Sequence, residues 1–148
     1  MAKVAFLSFY SGVVERGVET FVSELAKRLT PKHQVTIFQS GDSFKNQQIR
    51  TYVVKSFTSP PKSSHGILGK INLDMQSLKI LLFTLKAIPK IIQGKFDVII
   101  PTNGGWQMVI LRITSKLSGS KLLVSGHAGM GADDAWNLFF RPDVFVAL

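Results

Sequence analysis

The sequence contains no cysteine. That excludes a disulfide framework and thiolate metal sites, and it suits a reducing compartment. The three histidines, His33, His65 and His127, stand far apart and have no metal-site spacing. Long hydrophobic runs are missing as well, since no apolar stretch reaches the ~18 residues that a membrane-spanning helix needs. The amino terminus has one lysine ahead of a short apolar run and no cleavage-site pattern, so it reads as a first strand rather than a signal peptide. Neither of two common phosphate-binding signatures is present. G-x-G-x-x-G does not occur, and Gly17 is followed by Val18 and Glu19 where a P-loop needs Lys and Ser or Thr. Acidic residues are also scarce, nine against eighteen basic ones, for a net charge of +9.

That charge is unevenly placed. Between Lys45 and Lys95 lie nine basic residues and a single acid, Asp74, which leaves the rest of the chain nearly neutral. Such a segment implies an anionic partner: a phospholipid surface, a lipid diphosphate or nucleic acid. Its aromatics, Tyr52, Phe57 and Phe83, are too irregularly spaced to make a base-stacking platform, so nucleic acid is not the expected partner.

The 148 residues are one domain's worth, and the chain reads as alternating strands and helices. Val4 to Phe9 has the length and composition of a buried strand. A turn bearing Gly12 and Gly17 follows, and then an amphipathic stripe of Val18, Phe21, Val22, Leu25, Ala26 and Leu29, closed at Thr30-Pro31-Lys32. Residues 33–39 and 48–57 read as strands two and three, and 58–69 as a loop rich in Ser, Pro, Gly and Lys. A helix is predicted from Ile71 to Gln93, with Pro89 expected to kink or end it. Its apolar side is expected to be Ile71, Met75, Leu78, Leu82, Leu85 and Ile92, widened by Leu81 and Ile88. Lys79, Lys86 and Lys90 share the other side with Asn72 and Gln76, and Phe83 breaks into that polar stripe. The plainer reading is a core helix with a solvated lysine face; the functional one rests Lys62, Lys70, Lys79, Lys86 and Lys90 on an anionic membrane.

Strand four at 97–100, a helix at 107–117, strand five at 121–125, a short helix from Asp133-Asp134 to Leu138 and strand six at 143–148 complete the pattern. The expected fold class is α/β: a Rossmann-like open parallel sheet with flanking helices, and Gly-bearing loops gathered at its carboxyl edge. The chain stops at the end of an apolar strand, from which a larger protein is expected. Two loops at that edge carry candidate chemistry. Asn103, Gly104, Gly105 and Trp106 offer an amide for sugar hydroxyls, close backbone approach and an indole stacking face, though Trp106 also reads as a helix start. His127 follows strand five in Ser125-Gly126-His127, where a ligand contact and a packed loop histidine are equally compatible with its position. Asp133 and Asp134 read as helix-capping acids and Arg141 as a loop anchor.

The run Arg16-Gly17-Val18-Glu19-Thr20-Phe21-Val22, ahead of Glu24-Leu25-Ala26-Lys27-Arg28-Leu29, resembles the start of GT-B glycosyltransferases of the retaining, family-4 type. Those proteins share a G-G-x-E turn followed by an L-A-x-x-L helix; Arg16 stands where many members have the first glycine. His33 to Phe38 is similar to their H-x-V-T-V strand, and Gly129 to Leu148 is similar to members reading G-x-D-D-x-W-N-L and R-P-D-x-F-V-A-L. The resemblance implies that residues 1–148 are the N-terminal, acceptor-side domain of a two-domain enzyme. That enzyme would move a sugar from a nucleoside diphosphate donor to a lipid-linked or glycan acceptor, with no cofactor or metal. By the same resemblance Gly17, Gly126 and His127 face the donor, His127 as the catalytic contact, with Asn103, Gly104 and Trp106 nearer the acceptor. The acidic E-x7-E half of such enzymes has no counterpart here, so the isolated chain is expected to be inactive. A cytoplasmic location, peripheral on the inner membrane face, is the corresponding expectation.

Overall fold

The computed structural model describes residues 1–42, 48–56, 74–126 and 132–147. The expected 58–69 loop, Lys62, Lys70 and His127 lie outside them. The elements in chain order are β1 (Lys3–Ser8), α1 (Gly17–Leu29), β2 (Gln34–Gln39), β3 (Arg50–Val53), α2 (Met75–Gly94), β4 (Val98–Pro101), α3 (Trp106–Ser118), β5 (Lys121–Gly126), α4 (Ala132–Phe139) and β6 (Val144–Ala147). The six strands form one sheet in the order β3-β2-β1-β4-β5-β6. Every pairing is parallel, with Ala5 opposite both Thr36 and Ile99. This is the α/β Rossmann-like sheet that the alternating pattern predicts. Its topological switch point lies between β1 and β4, the place where loops diverge and ligands enter such sheets.

Alternation along β1 divides the core. Ala5, Leu7 and Phe9 point to one face, where they pack with Phe38, Ile99, Leu122 and Val124 under Phe83, Ala87 and Ile91 of α2 and Met108 and Leu111 of α3. Val4 and Phe6 point to the other, with Val35, Ile37, Ile49 and Ile100 under Val22 and Ala26 of α1. The α1 stripe is as its periodicity predicts, with Phe21, Leu25 and Leu29 packed at the margin of that cluster.

Helix α2 is turned the other way from its sequence reading. Phe83, Thr84, Ala87 and Ile91 are fully buried, whereas Met75, Leu82 and Ile92 of the expected core row are 70, 52 and 45 % exposed. The helix carries two apolar rows, and the shorter one docks. Phe83 meets Phe9 edge to face at 5.4 Å, and the small Ala87 one turn later lets the helix approach the sheet closely. Thr84 tolerates burial because its hydroxyl donates to the Ile80 carbonyl at 2.7 Å and accepts from Gln107 at 3.4 Å. Asp74 caps the helix by accepting the Ser77 N–H at 3.1 Å. Pro89 does not end it: the helix continues to Gly94, with Lys95 closing it in the left-handed region at φ 49°. Pro89 sits on the exposed side, where water can serve the carbonyl that its missing N–H leaves unbonded.

At the other end of the sheet, Asp143 fastens β6. Its carboxylate accepts the Leu122 N–H at 2.9 Å and the Arg112 guanidinium at 2.9 Å. The backbone donor first, and the nearby Arg112 charge after it, hold the Asp143 carboxyl below the usual range. Arg141, at φ 48°, closes α4 by donating its backbone N–H to the Leu138 carbonyl at 2.9 Å.

Two measurements check this packing. Phe83→Ala is expected to cost about 3–5 kcal/mol in denaturant unfolding, and Leu82→Ala less than about 1 kcal/mol. The opposite order would restore the sequence-based orientation of α2. The second concerns Asp143. With its folded pKa lowered, it stabilises the fold above the unfolded carboxyl value of about 3.9 and loses that contribution as pH falls through the folded value. Asp143→Asn should therefore reduce the loss of stability on acidification below about pH 4, read as unfolding midpoint against pH.

Candidate functional site

The loops after β1 and β4 leave the sheet at its carboxyl edge, and side-chain hydrogen bonds tie them together. Asn103 Oδ1 accepts the Phe9 N–H at 3.2 Å, just past the end of β1. The Thr102 hydroxyl donates to the Leu7 carbonyl at 2.9 Å. Behind them Gln107, fully buried, accepts the N–H groups of Thr102 at 3.2 Å and Asn103 at 2.9 Å through Oε1. Gln107 and Thr84 were not singled out by sequence reasoning. The available signal was a glutamine one residue ahead of Met108 on the buried face of α3, where a polar side chain needs a partner. Trp136 was missed too: its indole N–H donates to the Gly105 carbonyl at 3.2 Å, seating α4 on this loop.

Among the predicted residues, Asn103 is half-buried at the switch point, Gly104 is exposed and Trp106 is the half-buried first residue of α3. A Cβ on Gly104 would meet only Asn137 Oδ1, at an ordinary 3.5 Å. Gly105, which precedes α3, has φ 63° and is the position in this loop that requires glycine. Gly126 is the buried last residue of β5, the strand beside β4, so the chain enters residue 127 at the same edge. Gly17 begins α1 and is exposed. No hydrogen bond joins it to Asn103 among the described residues.

The turn between β1 and α1 is shaped by a different glycine. Gly12 has φ +78°, and a Cβ there would fall 2.6 Å from the Asp42 carbonyl oxygen; Gly41 crosses it so closely that its own Cβ would strike the Gly12 backbone. A Cβ on Gly17, by contrast, meets nothing within 4 Å. Arg16 folds back from the helix start. Its guanidinium lies 4.4 Å from the Tyr10 ring centroid and donates to both oxygens of Glu19, at 3.2 and 3.0 Å. Those charge-assisted bonds raise the Arg16 pKa further, while burial pushes the Tyr10 phenol up. Gln76 of α2 donates to the Tyr10 hydroxyl, which couples the turn to the basic helix.

Along the flank of α1 runs a groove of about 550 Å³, lined by Ser11, Gly12, Glu15, Glu19, Glu24, Lys27 and Asp42 among others. Its carboxylates outnumber its cations, and none of Asn103, Gly104, Trp106 or Gly126 lines it. A diphosphate is therefore disfavoured in this groove. Among the described residues no cluster of three His, Cys, Asp or Glu could hold a metal ion. No described helix is long and apolar enough to cross a membrane. Of the predicted surface lysines, Lys86 donates to the Lys55 carbonyl at 3.1 Å and Lys90 lies 5.8 Å from the Tyr52 ring centroid.

No protein-family model matches the chain, and no curated protein matches it in sequence. Solved structures do. A crystal structure of Acinetobacter baumannii MurG aligns with 98 % of this chain at TM-score 0.57 and 21 % identity, covering 40 % of that protein. Anabaena Alr3699/HepE in complex with UDP-glucose aligns with 90 % at TM-score 0.54 and 19 % identity, and its complex with UDP aligns with 93 % at 0.54 and 19 %. What is shared is the fold. The chain spans 31 and 33 % of those HepE chains and so corresponds to less than half of each protein it resembles.

The two glycines separate in a stability measurement. Gly12→Ala should destabilise by about 1–3 kcal/mol or more, from the left-handed backbone and the contact with Asp42. Gly17→Ala should stay within about 0.5 kcal/mol of the parent in the same unfolding assay.

Proposed function

We propose that residues 1–148 are the N-terminal, acceptor-side domain of a GT-B glycosyltransferase of the retaining, family-4 type. The activity is transfer of a hexose from a nucleoside diphosphate to a lipid-linked or glycan acceptor, completed by a second domain. The observation that carries the reading is where the family-like Gly17-Val18-Glu19 turn falls. It starts the first helix after β1, on a parallel sheet of the kind found in HepE and MurG. HepE is seen with UDP-glucose and with UDP, which supports a nucleotide-sugar as the donor class.

In this reading Gly17 is glycine because a ligand or the second domain approaches its backbone. Nothing within 4 Å in the chain itself requires the missing side chain. The N–H groups that open α1 then face developing negative charge on the donor, as helix starts do. Gly126 leads the chain to His127 at the same edge, where an imidazole would hydrogen-bond the donor sugar. Asn103, Gly104 and Trp106 take the acceptor side, with the amide of Asn103 held by Phe9 in a fixed orientation. The acid-lined groove beside α1 leaves most donor affinity to the second domain.

The test uses the polypeptide extended beyond Leu148. Transfer from UDP- and GDP-sugars is expected, and His127→Ala should lower turnover by about a hundredfold or more with circular dichroism unchanged. Gly17→Ala should weaken transfer without loss of fold. A fully active His127→Ala variant would reduce that residue to a packed loop histidine. Salt-dependent oligonucleotide binding without any transfer would instead favour a basic α/β module for nucleic acid or phosphorylated ligands.

A further inference from the structure

A second groove lies at the opposite edge of the sheet, where the strands begin. It holds about 600 Å³ and opens where α2 ends, at Gly94. Lys3 of β1, Thr36 of β2 and Arg50 of β3 line it, together with His33, Gln34 and Phe96. Alternation puts the first three on the α2 face: Lys3 precedes Ala5 by two residues, Thr36 precedes Phe38 by two, and Arg50 stands opposite Thr36. None of the described residues that line the groove is acidic. Asp97, at the same edge, is outside the lining, and its carboxylate accepts the Lys3 backbone N–H at 2.7 Å. The carbonyls that end α1 and α2 here, which would repel an anion, are largely taken by the chain's own donors. Ala26 O accepts the Thr30 N–H and hydroxyl, Leu29 O the N–H groups of Lys32 and His33, and Ile92 O the Lys95 N–H.

Thr36 marks the groove as a site rather than a gap in packing. It is 7 % exposed, and its hydroxyl has no hydrogen-bond partner among the described residues, so the groove is the space left for one. Arg50 is exposed and has no partner among those residues either, and Lys3 Nζ makes a long 3.4 Å contact with the Gly94 carbonyl. His33 Nδ1 is occupied by the Ala2 N–H at 3.3 Å, which leaves Nε2 as its ring donor. We propose that this amino-edge groove binds a phosphate-bearing small molecule, its oxyanion held between Lys3 and Arg50 with the Thr36 hydroxyl donating to it. A phosphomonoester presents three acceptor oxygens and about 1.5–2 negative charges at pH 7. A guanidinium fork, an ammonium and a hydroxyl supply donors for them, and the bonds to the two cations are charge-assisted. A carboxylate, with two oxygens and one charge, would leave donors unused. The remaining volume, walled by Phe96, Val35 and Pro31, has room for a small body attached to the phosphate. The groove beside α1 is of similar volume but carries carboxylates, so charge rather than size selects the ligand. The amino-edge site stands about 20 Å from the carboxyl edge, the length of a six-residue strand, and does not rest on the transfer reading.

Binding is measured on the full polypeptide by calorimetry and amide NMR in about 0.15 M chloride. Inorganic phosphate and glycerol phosphate are expected to bind at one saturable site, and glycerol not at all. Equal affinities assign the groove to free phosphate; a tighter ester assigns it to a phosphorylated metabolite. Arg50→Gln with Lys3→Gln should lower affinity about tenfold or more, and Thr36→Val about threefold to tenfold with the circular dichroism spectrum unchanged. Thr36→Ser, which keeps the hydroxyl, should bind within about twofold of the parent. Lys116→Gln, on α3 and outside the groove, should change nothing. Amide shifts should centre on Lys3, Thr36 and Arg50. These three come from different strands and meet only in the folded chain, so bound phosphate should also raise the unfolding midpoint. Shifts centred on Gly17 and Asn103 would put the anion at the carboxyl edge and overturn the proposal. So would equal losses in Lys116→Gln and Arg50→Gln/Lys3→Gln, the mark of diffuse attraction, or no binding at all. No sugar transfer enters these readouts, so failure here and failure of the transfer reading are separate results.

Discussion

Where β1 and β4 lie side by side, the chain leaves the sheet toward opposite faces, and the N–H groups just beyond the strands lose their ladder partners. Buried N–H groups left unpaired would cost as much as the packing around them contributes. Two side-chain amides resolve this: Asn103 takes the Phe9 N–H and Gln107 the Asn103 N–H, while the Thr102 N–H is shared between Gln107 and the Leu7 carbonyl across the strands. The same Gln107 reaches Thr84, so α2, α3 and the switch-point loop share one buried network. The loop on which any ligand would settle is therefore held by the core, and its outward surface is free to be chosen by function.

The α/β class of the sheet was legible because β-branched and aromatic runs alternate with Gly- and Pro-marked turns and helical stripes. The orientation of α2 was not. Periodicity reports that apolar residues share a face; it does not weigh one face against another when a helix carries two. Counting favoured the five or six aliphatic positions that include Leu78, Leu82 and Leu85, while packing favoured one phenylalanine beside an alanine. The amide network was illegible for a related reason. Its members, at positions 9, 84, 103 and 107, are adjacent only once the sheet exists, and no local spacing marks a glutamine as the partner of a loop.

Arg16 stands at the start of α1 without obstructing it. Its backbone, at φ −127° and ψ 175°, is extended, a conformation open to any residue, so the turn has no backbone need for a glycine at this position. What remains is the bulk of the side chain, and that is drawn aside by Tyr10 and clamped by Glu19. Tied to a glutamate three residues later, the arginine leaves the start of α1 exposed at Gly17. The conformation-setting glycine is Gly12, which no motif emphasised, because its constraint comes from Gly41 and Asp42 across the turn.

Charge completes the asymmetry that the fold establishes. On the α1 side of the sheet two cations are met by acids, Arg16 by Glu19 and Lys27 by Glu24. On the α2 side, Lys86 is held by the Lys55 carbonyl and Lys90 by the Tyr52 ring, and Arg112 of α3 by Asp143. Exposed aliphatic side chains stand on the same helices, Leu82, Ile113 and Leu117 among them. The two flanks of the sheet thus differ in what meets their cations: carboxylates beside α1, and a backbone carbonyl and an aromatic face beside α2.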